Sequence, residues 1–184
     1  MRIEDDMLWF ERTGSVEPDL EAGDPRADET VARALGIDHS LVGLEARELG
    51  RSGRLRPACA DAGLRQLIVP LKNVEALEAC SPDPKLLADL ARDGVYCVAP
   101  QVAGRVRARG FFPGLGVSED PATGSAAAAL GLFLADRTGE IRFEVVQGVE
   151  ISRPSRISFD ATSGSVRVGG KCGLLISGRM EGLS

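Results

Sequence analysis

Residues 118–125, with the sequence SEDPATGS, bring carboxylates, hydroxyls and a glycine together directly before a strongly apolar run. That run, residues 126–134, has no polar side chain, so it predicts a helix that is buried on every side. The first N–H groups of a helix lack partners and carry partial positive charge, so a start formed by Gly124 and Ser125 can bind an anion. Glu119 is expected to be a solvated neighbour of this predicted anion site.

The same segment offers groups for proton transfer. Asp120 could hydrogen-bond a substrate amine or hydroxyl, or help to move a proton, and acid–base catalysis by carboxyl groups is common. A structural alternative stays open, in which Thr123 or Ser125 caps the helix and Asp120 complements its dipole. Arg109 could neutralise Asp120 or attract an anionic substrate, or it is one charge on the solvated face of the alternating strand 105–109.

Composition and charge exclude several classes of function. The formal net charge of −5 is opposite to the basic surface of a nucleic-acid-binding protein. The chain has no apolar run long enough for a membrane span, and its acidic N-terminus lacks the apolar core of a signal peptide, so we expect a cytoplasmic location. The single histidine, His39, lies in a predicted polar turn, which leaves Ser-His-Asp and Cys-His catalysis unsupported. The four cysteines are far apart in sequence, which predicts small buried thiols.

The order of predicted elements is mixed, which indicates an α+β fold. Residues 13–25 and 51–63 are rich in glycine, proline or polar side chains and are predicted to be connectors. The remaining pattern predicts strands over residues 7–11, 41–49, 67–69, 95–98, 141–146, 149–152, 156–159, 165–168 and 174–177, and helices over residues 28–35, 73–79, 84–92 and from 126 to near 138.

Several segments together resemble the PhzF-like family of phenazine biosynthesis. They are GVSEDPATGSA at residues 116–126, RGFFP at 109–113, Gln147-Gly148 followed by Arg153-Pro154-Ser155, and VRVGG at 166–170. The first matches the family's E-D-P-[AV]-T-G-S-A signature closely, and that signature is highly specific. The resemblance covers roughly residues 7–184.

The resemblance implies a fold like that of diaminopimelate epimerase, in which each of two similar domains is a β-barrel-like sheet wrapped round one central helix. We therefore expect such an α+β domain over residues 15–184, and residues 1–14 resemble a terminal strand of the first domain. The family's active site lies in the cleft between the domains.

The resemblance also implies roles for individual residues. Family members isomerise small carboxylate-bearing metabolites without a metal or an organic cofactor. Asp120 and Ser125 are accordingly expected to be catalytic. Thr123, Gly124 and Arg109 are expected to bind the substrate, whose carboxylate would lie at the helix start.

One departure from the family affects the expected activity. Members carry an N-terminal part with a G-N-P motif, a catalytic Glu that acts as general base, and a later His, and no segment of this chain matches these. We therefore expect the C-terminal half of an isomerase, whose base comes from a missing N-terminal half, from a separate partner chain or from a second copy. The alternative is a non-catalytic module that binds a small acid, or a structural remnant that dimerises.

Overall fold

The computed structural model describes residues 2–4, 6–20, 24, 26–102, 104–173, 175 and 178. Its strands are β1 (Arg2–Glu4), β2 (Met7–Thr13), β3 (Ser15–Asp19), β4 (Leu44–Glu45), β5 (Arg54–Leu55), β6 (Ala58–Asp61), β7 (Arg65–Pro70), β8 (Val95–Val102), β9 (Arg105–Phe112), β10 (Val117–Asp120), β11 (Ile141–Gln147), β12 (Ser155–Thr162) and β13 (Ser165–Lys171). Its α-helices are α1 (Ala27–Leu35), α2 (Val74–Glu78), α3 (Pro84–Leu90) and α4 (Gly124–Thr138).

One mixed sheet contains most of the strands. Its order is β1-β2-β13-β12-β11-β9-β8-β7-β6-β3, with β10 paired to β9, while β4 and β5 form a separate small ribbon. The pairs β7–β8 and β9–β11 are parallel, and the chain between the two strands of each pair is helical. Parallel neighbours need such a long crossover connection, so the helices follow from the strand directions.

The sheet curls because one continuous segment of the chain, β2 and β3, pairs near both ends of the sheet. β2 pairs with β13 and β3 pairs with β6, although only Gly14 separates β2 from β3 in sequence. A Cβ atom at Gly14 would overlap the carbonyl oxygen of Asp61 and lie 2.5 Å from Cδ1 of Leu132. Glycine therefore lets the chain bend closely against α4 where the sheet closes on itself.

Helix α4 lies inside this curled sheet. Every residue from Ala126 to Ala135 is buried, and the helix contacts strands on several sides, including β3, β6, β7, β11, β12 and β13. Gly131 allows β12 and β13 to approach the helix closely, since a Cβ there would lie 2.9 Å from Val166 and 3.0 Å from Phe159. The predicted α+β class and the predicted buried helix are both confirmed.

A second layer covers the outside of the sheet. Helices α1, α2 and α3 pack over β7, β8 and β9 around Leu35, Leu77, Cys97 and Phe111. Alternation along β9 divides its side chains between two cores, so Val106 and Ala108 face α4 whereas Phe111 faces α1–α3. Both faces of this part of the sheet are therefore buried.

Several predicted elements differ from the structure. The expected connectors contain β3 and β6, and β6 is a run of small residues that is held as a strand by its partners β3 and β7. Residues 149–152 form a turn instead of a strand, with Ser152 at a φ of 58°. Residues 41–49 contain only the two-residue strand β4 beside 3-10 turns. The strand predicted over 174–177 lies outside the described residues.

Two further expectations concern the cysteines and the first residues of the chain. Cys59, Cys80 and Cys97 are buried as predicted, but Cys172 is exposed, so the prediction is wrong for that residue. The expected boundary after residue 14 falls at the bend between β2 and β3, within one sheet. The assignment of residues 1–14 to another domain stays a prediction.

Candidate functional site

The approach to α4 is the short loop Pro121-Ala122-Thr123, which follows β10. Ser155, the first residue of β12, donates its hydroxyl to the carbonyl oxygen of Pro121 at 2.7 Å. Gly148 packs against the same loop at a φ of 80°, where an added Cβ would lie 2.8 Å from that oxygen. The Q-G and R-P-S segments of the sequence therefore hold this loop from the adjoining end of the sheet.

A connected set of hydrogen bonds surrounds Asp120. The hydroxyl of Thr123 donates to Oδ2 of Asp120 at 2.5 Å. Nε2 of Gln147 donates to the carbonyl oxygen of Asp120 at 2.6 Å and to the hydroxyl of Thr123 at 3.0 Å. Oε1 of Gln147 accepts from the backbone N–H of Thr123 at 3.1 Å and from the hydroxyl of Tyr96 at 2.8 Å. The loop and the carboxylate are thus tied to two buried side chains of the sheet.

The ring of Tyr96 belongs to the core, but its hydroxyl reaches the site. Its side chain is fully buried, and burial, with a further contribution from the negative charge of Asp120, raises the pKa of Tyr96. The phenol is therefore a stable donor to Gln147, which is also fully buried. Sequence analysis did not identify Tyr96 or Gln147 as site residues, although Gln147 belongs to the Gln147-Gly148 segment that resembles the family.

The first turn of α4 is open. Thr123 occupies the N-cap position, but no side chain caps the helix, and the Thr123 hydroxyl is bonded to Asp120 instead. The alternative in which Thr123 or Ser125 is a helix cap is therefore wrong. Gly124 is exposed and Ser125 is half-buried, which leaves the positive end of the helix accessible to an anion.

A cavity of about 240 Å³ begins at this helix start and is lined by Phe10, Arg12, Ala62, Gly124, Ser125, Ala128 and Val168. A second cavity, of about 270 Å³, shares Phe10, Gly124 and Val168 with the first. Phe10 is 43% exposed, so apolar surface adjoins the open turn. The volume is adequate for a small metabolite and places Gly124 and Ser125 at its wall.

Arg12 is a charged residue of this cavity that the sequence analysis missed. It pairs with Val166 of β13, whose side chain lies in the core around α4, so Arg12 is on the inward face of β2. Among the described residues it makes one hydrogen bond, to the backbone carbonyl oxygen of Glu11. The period of two that places Leu8, Phe10 and Arg12 on one face was the available signal.

Arg109 lies on the other face of the sheet. Its guanidinium is bonded to Glu119 at 3.0 and 2.9 Å, and to the carbonyl oxygens of Leu77 at 3.1 Å and Cys80 at 2.9 Å. The side chains of Arg109 and Glu119 are 10% and 11% exposed. The expectation that Arg109 neutralises Asp120 is wrong, because its partner is Glu119, and Glu119 is not a solvated neighbour. The expectation that Arg109 binds substrate stays a prediction.

The described residues contain neither a cluster of metal ligands nor a helix that could span a membrane. Among them, no three His, Cys, Asp or Glu side chains come together as a set that could hold a metal ion. Within the same residues, no helix has the length and apolar character needed to cross a membrane.

Curated proteins of similar sequence carry the names of isomerases. The chain is 38% identical over 132 residues to a trans-2,3-dihydro-3-hydroxyanthranilate isomerase of Pseudomonas fluorescens, an alignment that covers 70% of this chain and 42% of that protein. It is 45% identical over 111 residues to the isomerase of the same name in Pseudomonas aeruginosa, which covers 58% of this chain and 39% of that protein. The chain therefore spans about two fifths of the length of these curated relatives.

Solved structures agree with these relatives. A PhzF-family phenazine biosynthesis protein of Bacillus anthracis matches with a TM-score of 0.69 at 19% identity, over 90% of this chain and 57% of that one, which shows a shared fold. A predicted epimerase of Pseudomonas aeruginosa matches with a TM-score of 0.63 at 29% identity, over 92% of this chain and 59% of that one. The family model described as phenazine biosynthesis-like protein matches residues 21–178. This chain accordingly belongs to the PhzC–PhzF family of phenazine biosynthesis-like proteins.

Proposed function

We propose that this chain forms one wall of the active site of a PhzF-like isomerase, which moves a proton within a small carboxylate-bearing metabolite without a cofactor. The observation that carries the proposal is the open first turn of α4, which lines a cavity and directly follows the loop that anchors the carboxylate of Asp120. Family membership and the names of the curated relatives support the reaction class.

The substrate carboxylate would bind at the helix start. The N–H groups of the first turn carry partial positive charge, and Gly124 lets an anion approach them closely. Ser125 would donate its hydroxyl to the same anion. Arg12 lines the same cavity and supplies a full positive charge, so the proposed site combines a cation with helix N–H donors.

Proton transfer would take place next to this bound carboxylate. In an isomerisation of this kind one C–H proton leaves the substrate and one proton is returned at another atom, so the atoms balance without an oxidant or reductant. Asp120 would give or accept the proton at one of these positions. We propose that the second group, the general base, belongs to a segment or partner chain outside these 184 residues, because the matched region covers only 42% and 39% of the two curated relatives.

The experiment is proton exchange measured by NMR in D₂O with trans-2,3-dihydro-3-hydroxyanthranilate, the compound named for two relatives. The chain is tested alone and after addition of the purified N-terminal part of the Pseudomonas fluorescens relative. We expect exchange and isomerisation only in the mixture. Asp120→Asn and Ser125→Ala should each lower turnover by about 100-fold, in the range of one lost acid–base or oxyanion contact.

Matched controls are Asp89→Asn and Ser163→Ala, which change the same residue types at exposed positions outside the site. Full activity of the chain alone would overturn the divided site but not the isomerase assignment. Binding of small carboxylic acids without turnover in the mixture would favour the non-catalytic module. Turnover that is unchanged by Asp120→Asn would remove that carboxylate from the mechanism.

A further inference from the structure

We propose that Tyr96, Gln147 and Thr123 act as positioning residues that hold the Asp120 carboxylate in a single orientation, an inference that rests on the proposed role of Asp120 in proton transfer. Two of the three are fully buried and polar, and their hydrogen bonds converge on Asp120 at the end of β10 and on the loop that follows it. Burying such groups is costly unless each finds a partner, so their arrangement is specific.

The orientation of the Gln147 amide follows from two backbone groups. The backbone N–H of Thr123 can only donate, so the amide atom 3.1 Å from it is the oxygen. The backbone carbonyl of Asp120 can only accept, so the amide atom 2.6 Å from it is the nitrogen. The phenol of Tyr96 must then donate its proton to the amide oxygen, at 2.8 Å, which reinforces the same orientation.

The direction of the remaining bonds follows in turn. Nε2 of Gln147 has two hydrogens, and the second points to the hydroxyl of Thr123 at 3.0 Å. The Thr123 oxygen therefore accepts from the amide, and its one hydroxyl proton is directed to Oδ2 of Asp120, 2.5 Å away. The side-chain hydrogen bonds run in one direction from Tyr96 through Gln147 and Thr123 to Asp120, and no alternative order satisfies every group.

This order has a consequence for the chemistry of Asp120. Because Thr123 holds Oδ2, the carboxylate cannot rotate freely, and Oδ1 becomes the oxygen that exchanges a proton with the substrate. A displacement of about 1 Å in a reacting group can reduce the rate by about 100-fold. Thr123 is thereby a positioning residue for Asp120 and not a direct ligand of the substrate.

The test compares Thr123→Val, which keeps the shape and the backbone N–H but removes the hydroxyl, with Thr123→Ser, which retains the hydroxyl. Thr162→Val is the matched control, because Thr162 is exposed at the end of β12. Tyr96→Phe removes the first donor of the series. The readouts are kcat and KM of the complemented enzyme, the ¹³Cγ signal of Asp120, and the amide hydrogen exchange of Thr123.

We expect Thr123→Val to reduce kcat by about 100-fold with little change in KM, and Thr123→Ser to restore most of it. The ¹³Cγ signal of Asp120 should shift in the valine variant and return in the serine variant. Tyr96→Phe should accelerate exchange of the Thr123 amide and lower kcat by a smaller factor.

Equal kcat values and equal Asp120 signals in the valine and serine variants would overturn the proposal, even if the valine variant melts at a lower temperature. If the wild-type mixture shows no turnover, the proposed function fails, and the positioning role is then decided by the NMR signals alone. A shifted Asp120 signal in Thr123→Val supports it, and an unchanged signal refutes it.

Discussion

Replacement of Arg109 by Met should destabilise the fold without a selective loss of substrate binding. The guanidinium makes two charge-assisted hydrogen bonds to Glu119 and further bonds to the carbonyl oxygens of Leu77 and Cys80. Burial opposes its charge, yet the hydrogen bonds and negative charge of Glu119 raise the pKa of Arg109 above its ordinary value. The variant would leave the Glu119 carboxylate buried without its cation.

The size of the effect follows from this burial. Removing one partner of a buried ion pair costs about 3–5 kcal/mol, because the remaining charge is uncompensated. The side chains of Arg109 and Glu119 are 10% and 11% exposed, so screening by water is small. At about 2–4 °C per kcal/mol for a chain of this size, the melting temperature should fall by about 6–20 °C.

The assay is thermal and urea unfolding of four proteins: the wild type, Arg109→Met, Glu119→Gln and the double variant. The double variant should recover part of the loss, because it leaves no buried charge unpaired. Arg105→Met is the matched control on the same strand, since its partner Glu144 is 27% exposed and Arg105 itself is 36% exposed. That partly solvated pair should contribute only about 0–1 kcal/mol.

One result would refute this reasoning. If Arg109→Met unfolds like the wild type but raises KM in the complemented enzyme, Arg109 binds substrate as its sequence position first suggested. A double variant that is less stable than Arg109→Met would also contradict the ion-pair argument.

Two further predictions concern the bend of the sheet and the thiols. Gly14→Ala should destabilise the protein by about 1–3 kcal/mol in urea unfolding, because the new methyl overlaps the Asp61 carbonyl, whereas Gly173→Ala, with open space around it, should be neutral. Equal stability of the two variants would contradict a tight closure. Iodoacetamide should label the exposed Cys172 first, because burial raises the pKa of Cys97 well above its ordinary value and excludes the reagent. Mass spectrometry of the labelled native protein measures this order. Labelling of Cys97 before Cys172 would contradict the prediction.

Much of the candidate site could be predicted from local sequence. The apolar run after Ser125 has no polar face, so its burial follows from composition alone, and the structure places it inside the sheet. The preceding SEDPATGS segment leads directly into the first turn of α4, as expected, although its first three residues belong to the strand β10, which was not predicted. These features depend on neighbours within a few residues along the chain.

The partners of these residues were decided by the tertiary structure. The sequence suggested that Arg109 could neutralise Asp120. Alternation along β9 instead directs the Arg109 side chain to the face of the sheet away from α4, where Glu119 is its partner. Gln147 and Tyr96 reach the loop only because β8, β9 and β11 are neighbours in the sheet.

The sequence by itself determined the buried helix, the α+β class and the family resemblance, since each rests on a local pattern or a contiguous motif. It left open whether a side chain caps the start of that helix, and the structure decided that none does. The tertiary structure alone decided the closure at Gly14, the strand β6, the inward position of Arg12 and the hydrogen bonds that end on Asp120. The physical reason is that these features depend on which strands pair. Strand pairing joins residues far apart in the chain, and local propensity carries little information about it.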